Sequence, residues 1–238
     1  MKGYEKAGRS ALPPRMPVII RLDGKAFHTW TRGLERPFDE RLIAGMDAVT
    51  LAVCEEVQGA QIAYVQSDEI SILLHNYKRL DTQAWFDNQV QKMVSVAAGI
   101  ASARMTSVSA EMFGKTKEAI FDARTFVLPE AEVVNYFLWR QQDATRNSIQ
   151  MVAQSMYSHT ELHKKNTSDL QEMIFAKGQN WNELPTRLKR GRCAVRRVQD
   201  DALAVRAHWA IDNEPPIFGQ DRAYVERHLE VEREERRS

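Results

Sequence analysis

Only two cysteines stand in the chain, Cys54 and Cys193. They lie far apart with no Cys-x-x-Cys spacing, which excludes a zinc framework and a disulfide-stapled scaffold and fits a reducing compartment. The cytoplasm is therefore the expected location. No apolar run approaches the roughly 18 to 20 residues that cross a bilayer, and Met1 to Pro17 carries charges and prolines where a signal peptide needs an apolar core. A soluble protein with no membrane partner is expected. A dominant sign of charge is missing too: 33 basic against 32 acidic residues leave a net +1, so any polyanionic partner must be met by a local patch. The sequence has no internal repeat and no low-complexity segment. At 238 residues it can bury a sizeable core in one or two domains.

What is present begins with Val18 to Leu22, an apolar β-branched run interrupted by Arg21 and ending in Asp23-Gly24, which predicts a buried strand running into a turn. From Asp39, a candidate N-cap, Leu42, Met46, Val49, Val53 and Val57 recur at helical spacing until Gly59. Gln61 to Gln66 and Ile70 to Leu74 read as a hairpin with Ser67-Asp68-Glu69 at its tip. Thr82 to about Arg104 reads as a helix with Trp85, Val90, Met93, Val94, Ala97 and Ala101 on its apolar stripe, and Ile120 to Leu128 as another strand. Strand, helix, strand, strand, helix, strand is the ferredoxin-like pattern. In it the first two strands run the same way, so Asp23 and Asp68 should meet at one edge of the sheet.

Beyond Pro129 the pattern predicts a helix from about Glu132 to Ser158, another around Ser168 to Lys177, and a hairpin through Cys193 to Val198 and Leu203 to Ala210. The expected organisation is α+β: a ferredoxin-like domain over 1–130, and a helical and hairpin appendage packed on it over 131–238. Asp221 to Ser238, rich in Glu and Arg, reads as a solvated helix or frayed tail.

A strand-end carboxylate followed by glycine, facing a carboxylate on a hairpin tip, suits two-metal phosphoryl transfer. Hard magnesium ions take oxygen ligands, and Gly24 would let backbone approach a triphosphate closely. Composition alone leaves open an ordinary Asp-Gly turn and a solvated acidic tip. Phe27 can be a core anchor or a base-stacking residue, and Lys25 and Lys92 can be plain surface lysines. His159 and His163 are spaced for one helix face but lack a further ligand. The run Arg187, Lys189, Arg190, Arg192, Arg196 and Arg197 is the densest basic stretch, readable as an RNA backbone contact or a solvated hairpin face.

Arg21-Leu22-Asp23-Gly24-Lys25-Ala26-Phe27-His28, then Gln66-Ser67-Asp68-Glu69, Phe121-Asp122 with Arg124, and Trp139-Arg140-Gln141 with Asp143 together resemble the tRNA(His) guanylyltransferase family. The resemblance extends from about Pro17 to Gly191. It implies a polymerase-like palm working in the 3'-5' direction: a tRNA 5' monophosphate is activated by ATP or GTP, and the 3' hydroxyl of an incoming nucleoside triphosphate attacks the activated end. By motif position, Asp23, the Gly24 carbonyl and Asp68 would hold two Mg2+ ions, supported by Glu69. Gly24 to His28, with Ser67, would surround the triphosphate, and Lys25 and Lys92 would meet its phosphates. Arg124, Arg140, Asn147, Arg190, Arg192, Arg196 and Arg197 are the candidate tRNA contacts. A homotetramer is also implied.

Eukaryotic members of that family carry His-Ile-Asn-Asn just after the position of Asp143-Ala144. Here the chain reads Thr145-Arg146-Asn147-Ser148, which resembles the bacterial and archaeal guanylyltransferase-like branch. The expected activity is templated repair of tRNA 5' ends, with tRNA(His) maturation as the alternative. A palm-fold nucleotide cyclase and a non-catalytic RNA-binding protein are the readings from other classes.

Overall fold

After a short helix α1 (Lys2–Ala7), the first strand β1 is Val18–Gly24, and Val18, Ile19 and Ile20 are all buried, as a strand covered on both faces requires. The computed structural model describes residues 1–79, 81–201 and 204–230. Helix α2 (Phe27–Trp30) follows, then α3 (Glu40–Glu56), β2 (Ala60–Gln66), β3 (Glu69–Leu74), α4 (Val90–Phe113) and β4 (Phe121–Val127). Asp39 caps α3 as its sequence position predicts, its carboxylate accepting from the amides of Arg41 and Leu42. Next come α5 (Glu130–Met156), α6 (His159–Leu162), α7 (Thr167–Ala176), α8 (Thr186–Arg190), β5 (Arg192–Asp201), β6 (Ala204–Asp212) and α9 (Ala223–Glu226).

The six strands form one sheet in the order β4-β1-β3-β2-β5-β6, with every neighbouring pair antiparallel. Its first four strands have the arrangement that the ferredoxin-like pattern implies. Because β5 pairs with β2, the late hairpin continues the same sheet. Side chains alternate across a strand, and β1 shows the consequence. Val18, Ile20 and Leu22 join the core beneath α3 and α4, while Ile19 joins the second core beneath α5. A third cluster joins α5 to α7 through Ile149, Val152, Leu170 and Ile174.

Three expectations are corrected. Helix α4 starts at Val90 rather than Thr82 and runs on to Phe113. Phe86, Asp87 and Asn88 all have φ between 51° and 57°, a left-handed turn that a right-handed helix cannot include. At the other end Gly114, with φ 66°, is the stop. The stretch after Asp221 is not simply solvated. Tyr224, Val225 and Leu229 are buried in the core beneath α5, and the Tyr224 hydroxyl donates to Asp212 at 2.6 Å. Three apolar residues suffice to dock a segment whose other positions are polar. Residues 231–238, the end of that expected tail, and Leu203, the expected start of the last strand, lie outside the described residues.

Candidate active site

Strand register places Asp23 directly opposite Glu69 on β3 and opposite Asp122 on β4. Directly paired residues share a face, so these three carboxylates form a row on the α5 side of the sheet. Arg21, Ser71 and Arg124 form the next row. Asp68 sits in the turn between β2 and β3, which Ser67 starts with φ 48°. The strand end and the hairpin tip are fastened by the Gly24 amide, which donates to the Asp68 carbonyl at 3.1 Å. Asp23 and Asp68 therefore lie at the same end of the sheet. Burial holds the Asp68 carboxyl above the ordinary carboxylate range; the Asp23 and Glu69 charges push the same way, and the Ser67 hydroxyl, 3.1 Å away, opposes them.

Glu69 is turned toward α5. The Nε and Nη2 of Arg140 donate to its two oxygens, each at 2.7 Å, and Arg21 approaches to 3.0 Å. Burial raises the Glu69 carboxyl, with Arg140 and Arg21 opposing. Arg140 also donates to Asp143 at 2.8 Å, and Asp143 takes further bonds from Arg146 and Asn147. Arg140 is 4% exposed, which corrects the expectation that it contacts tRNA. With Nε and Nη2 committed to two carboxylates, the guanidinium belongs to the protein's own network rather than to an open phosphate contact.

The glycine motif has a different local reason from the one its sequence suggests. A Cβ on Gly24 would lie 2.4 Å from the Phe27 ring, so the glycine seats Phe27 rather than opening backbone to a ligand. Phe27 is buried, stacked on Trp30 at 4.8 Å and edge-on to Phe121 at 5.1 Å, which makes it a core anchor. The Gly24 amide is taken by Asp68, and the Lys25 amide donates to the Ile120 carbonyl at 2.8 Å. Neither can wrap a triphosphate. Ala26, in the left-handed region with φ 55°, turns the chain so that its own amide and those of Phe27 and His28 stand outside the sheet ladder.

Beside the hairpin tip opens a cavity of about 190 Å3. His28 and Thr31, the segment from Leu34 to Asp39, and Leu42 and Ile43 of α3 form one wall. Gln66 and Ser67, Asn147, Ser148 and Met151 of α5, and Arg187, Leu188, Gly191 and Arg192 form the others. Gly191, with φ 76°, allows this closure, since a Cβ there would meet the Tyr64 hydroxyl and the Val65 carbonyl at 2.7 Å.

The basic candidates separate by burial. Arg192 is 3% exposed and its Nε meets Asp47 at 2.5 Å, so its expected tRNA contact is corrected as well. Arg190 is half-buried, donates to the Thr186 hydroxyl at 3.3 Å, and gives its carbonyl to the Tyr64 hydroxyl. Arg196, Arg197 and Arg124 are open, Arg196 over the Trp209 ring and Arg124 within 3.4 Å of Asp122. Lys25 is exposed beside the motif. Lys92 is not. It lies in the first turn of α4, and Asn88, two residues before that helix, borders a small cleft with Val18 and Leu74, at the opposite end of β1 from Asp23. Ser102, ten positions later, is the helix residue that receives the Phe121 amide beside Gly24. At ~1.5 Å rise per residue that is about 15 Å of helix, too far for Lys92 to reach phosphates held at Asp23 in the same chain. His159 and His163 are exposed, with ring centroids 6.5 Å apart.

The sequence reading missed most of the cavity. Thr31, Leu34, Pro37, Ser148 and Met151 carry no motif of their own, and only Asp39 in that stretch gave a signal, as a helix cap. Asp122 was named within a motif, but its place opposite Asp23 needed the register.

A palm-type antiparallel sheet with a row of carboxylates at one end, beside a lined cavity, fits the class that the comparisons give: a nucleotidyltransferase. The family model described as tRNAHis guanylyltransferase matches residues 1–129. A bacterial tRNA(His) guanylyltransferase-like protein in complex with ATP is 44% identical, with TM-score 0.90 over 97% of each chain; its GTP complex gives TM-score 0.86 over 96% of each. The tRNA(His) guanylyltransferase of Schizosaccharomyces pombe is 27% identical over 84% of this chain and 80% of its own. The chain belongs to the tRNAHis guanylyltransferase family.

Proposed function

We propose that this chain restores incomplete 5' ends of tRNA by templated addition in the 3'-5' direction. The observation that carries the reading is the fastening of Asp23-Gly24 to Asp68 beside the cavity. A tRNA 5' phosphate oxygen attacks the α-phosphorus of ATP or GTP and pyrophosphate leaves. The 3' hydroxyl of the incoming nucleoside triphosphate then attacks the activated 5' phosphorus, and the nucleoside monophosphate leaves.

The donor set fits magnesium. Among the described residues no three His, Cys, Asp or Glu side chains converge on one point, and Glu69 is held by Arg140. Two carboxylates and the Gly24 carbonyl remain, all oxygen, and magnesium is bound by one or two carboxylates together with substrate phosphates. Asp23, Gly24 and Asp68 would hold it. When bound, magnesium makes the attacking hydroxyl more acidic and neutralises charge on the triphosphate. The cavity takes the base and ribose, the amides of Ala26 to His28 face the phosphates, and Lys25 adds a mobile positive charge. Arg124, Arg196 and Arg197 are placed to meet the RNA backbone. The homotetramer implied by the resemblance, and a cytoplasmic location, belong to the same proposal.

Templated repair is favoured over tRNA(His) maturation by the stretch Thr145 to Ser148. Ser148 is buried and accepts from the Trp181 indole at 3.0 Å, Thr145 bonds the Gln141 carbonyl, and Asn147 leans on Asp143. Only Arg146 is open, which leaves little there to read one tRNA. Base choice then falls to pairing with the opposite strand, which aligns the 3' hydroxyl for in-line attack. The test uses a tRNA lacking its first 5' nucleotide, with each of the four bases opposite, on His and non-His bodies. Single-turnover rates with each triphosphate should switch the preferred addition among G, U, C and A with the template base. Addition of G at one rate whatever lies opposite, and only to tRNA(His), would replace repair by maturation.

A further inference from the structure

Trp139 is 48% exposed, although it stands on a helix whose neighbouring aromatics, Tyr136 and Phe137, are buried. Its ring is held from two sides. The Arg140 guanidinium carbon lies 4.4 Å from the ring centroid, and Tyr136 meets it edge-on at 6.0 Å. Neither support can move freely. Arg140 is pinned by Glu69 and Asp143, and the Tyr136 hydroxyl lies 2.8 Å from that of Ser71. The exposed part of the indole is therefore a rigid aromatic surface.

Its surroundings identify what would cover it. Arg124 and Arg146 have about half of their side chains exposed and Arg21 a fifth, each held by a carboxylate, Asp122, Asp143 and Glu69 respectively; Arg21 and Arg124 stand on the sheet face that α5 covers, and Arg146 about two turns along α5 from Trp139. Guanidinium donors beside a fixed aromatic face are what RNA sites offer to a phosphate and to an unstacked base that lies flat; Trp and Arg also gather at protein interfaces, and the mass measurement below separates the two. The distance fits as well. Arg140 touches both Trp139 and Glu69, and Glu69 pairs with Asp23. The indole thus stands one guanidinium away from the carboxylate row where a 5' phosphate must react.

We propose that Trp139 is the stacking platform for the 5'-terminal base of the tRNA, and that Arg140 is the positioning residue that ties this platform to Glu69. The inference rests on the 5'-end reading above and adds to it a residue that seats the substrate. Stacking on a fixed indole keeps the terminal nucleotide from swinging, so the phosphate it carries faces the attacking hydroxyl.

The test uses full-length protein and a tRNA with 2-aminopurine as its 5'-terminal base. Binding to the wild type should quench the probe; Trp139→Phe should keep most of the quenching, and Trp139→Leu should lose it. Leucine preserves apolar bulk but removes the π face. Affinity for the tRNA should fall about tenfold or more in Trp139→Leu, the range of a lost base stack. ATP affinity and the mass measured by light scattering should not change. Equal quenching and affinity within twofold of wild type would overturn the proposal. So would a changed mass, which would make Trp139 an interface residue between copies. If wild-type protein adds no nucleotide while the quenching difference stands, the repair reading fails and the platform remains.

Discussion

The amide of Gly24 donates to the carbonyl of Asp68 at 3.1 Å, so the end of the first strand and the tip of the hairpin are joined by backbone alone. The two acidic side chains flanking this bond need no attraction for one another to stay close, and burial already presses Asp68 toward its protonated form. Replacing either carboxylate separates chemistry from folding. Asp23→Asn or Asp68→Asn should lower single-turnover addition by about a thousandfold or more, several kcal/mol of lost charge stabilisation. Without magnesium the melting temperature should hold or rise, because a like-charge repulsion is relieved. A variant within tenfold of wild type across a magnesium titration would remove that residue from the site.

The Glu69–Arg140 pair should behave in the opposite way. Glu69→Gln leaves Arg140 and Arg21 facing a neutral group in a buried place, and breaking a buried pair on one side costs about 3–5 kcal/mol. Urea denaturation should show it as a fall in midpoint with an unchanged slope. Arg140→Lys should recover part of the stability but not the paired geometry, since an ammonium cannot donate in a fork. A Glu69→Gln protein as stable as wild type would contradict the network.

Asp39 gives a pH signature. Hydrogen bonding from Arg41, above all, then the amides of Glu35, Arg41 and Leu42, holds its carboxyl down at about 2 against the penalty of burial. A carboxyl lowered on folding adds stability that is fully present above its unfolded pKa of about 3.9 and is lost as pH falls through the folded value. The advantage of wild type over Asp39→Asn should be about 2 kcal/mol near neutrality. It should shrink from about pH 5 downward and be nearly gone at about pH 2. Urea midpoints measured across that range decide it; a pH-independent difference would mean that the cap acts by shape alone.

Salt titration divides the basic run. If Arg196 and Arg197 meet phosphates, replacing each with Gln should weaken binding to all tRNAs alike and lower the salt slope by about 0.7 to 0.9 per contact. Arg192→Gln should instead destabilise the fold, because it strands Asp47 beside a neutral group. An unchanged slope in the Arg196 and Arg197 variants would return that surface to plain solvation.

The sequence carried the arrangement of the carboxylates because alternation and topology depend on pattern: once two parallel strands are separated by the return strand, their ends must converge. The Asp39 cap was legible for the same kind of reason. Burial of charge was not. Arg140, Arg192 and Arg196 look alike in a sequence, and only tertiary packing shows that the first two face carboxylates across elements while the third faces water. Lys92 was misplaced because a place on a helix does not say which end of the sheet that part of the helix crosses; the late start of α4 was missed because nothing in Phe86-Asp87-Asn88 announces three left-handed residues without a glycine. The Tyr224 segment was missed because three apolar residues among charges make too weak a period to read.

The cavity beside Asp68 has walls that begin at His28 and end at Arg192. Asp23, Asp68 and the first four strands all precede residue 128, so they are synthesised well before that last wall. On the proposed function, the seat for a nucleotide is therefore complete only once residue 192 has been added, and a fragment that ends at β4 carries Asp23 and Asp68 without that wall.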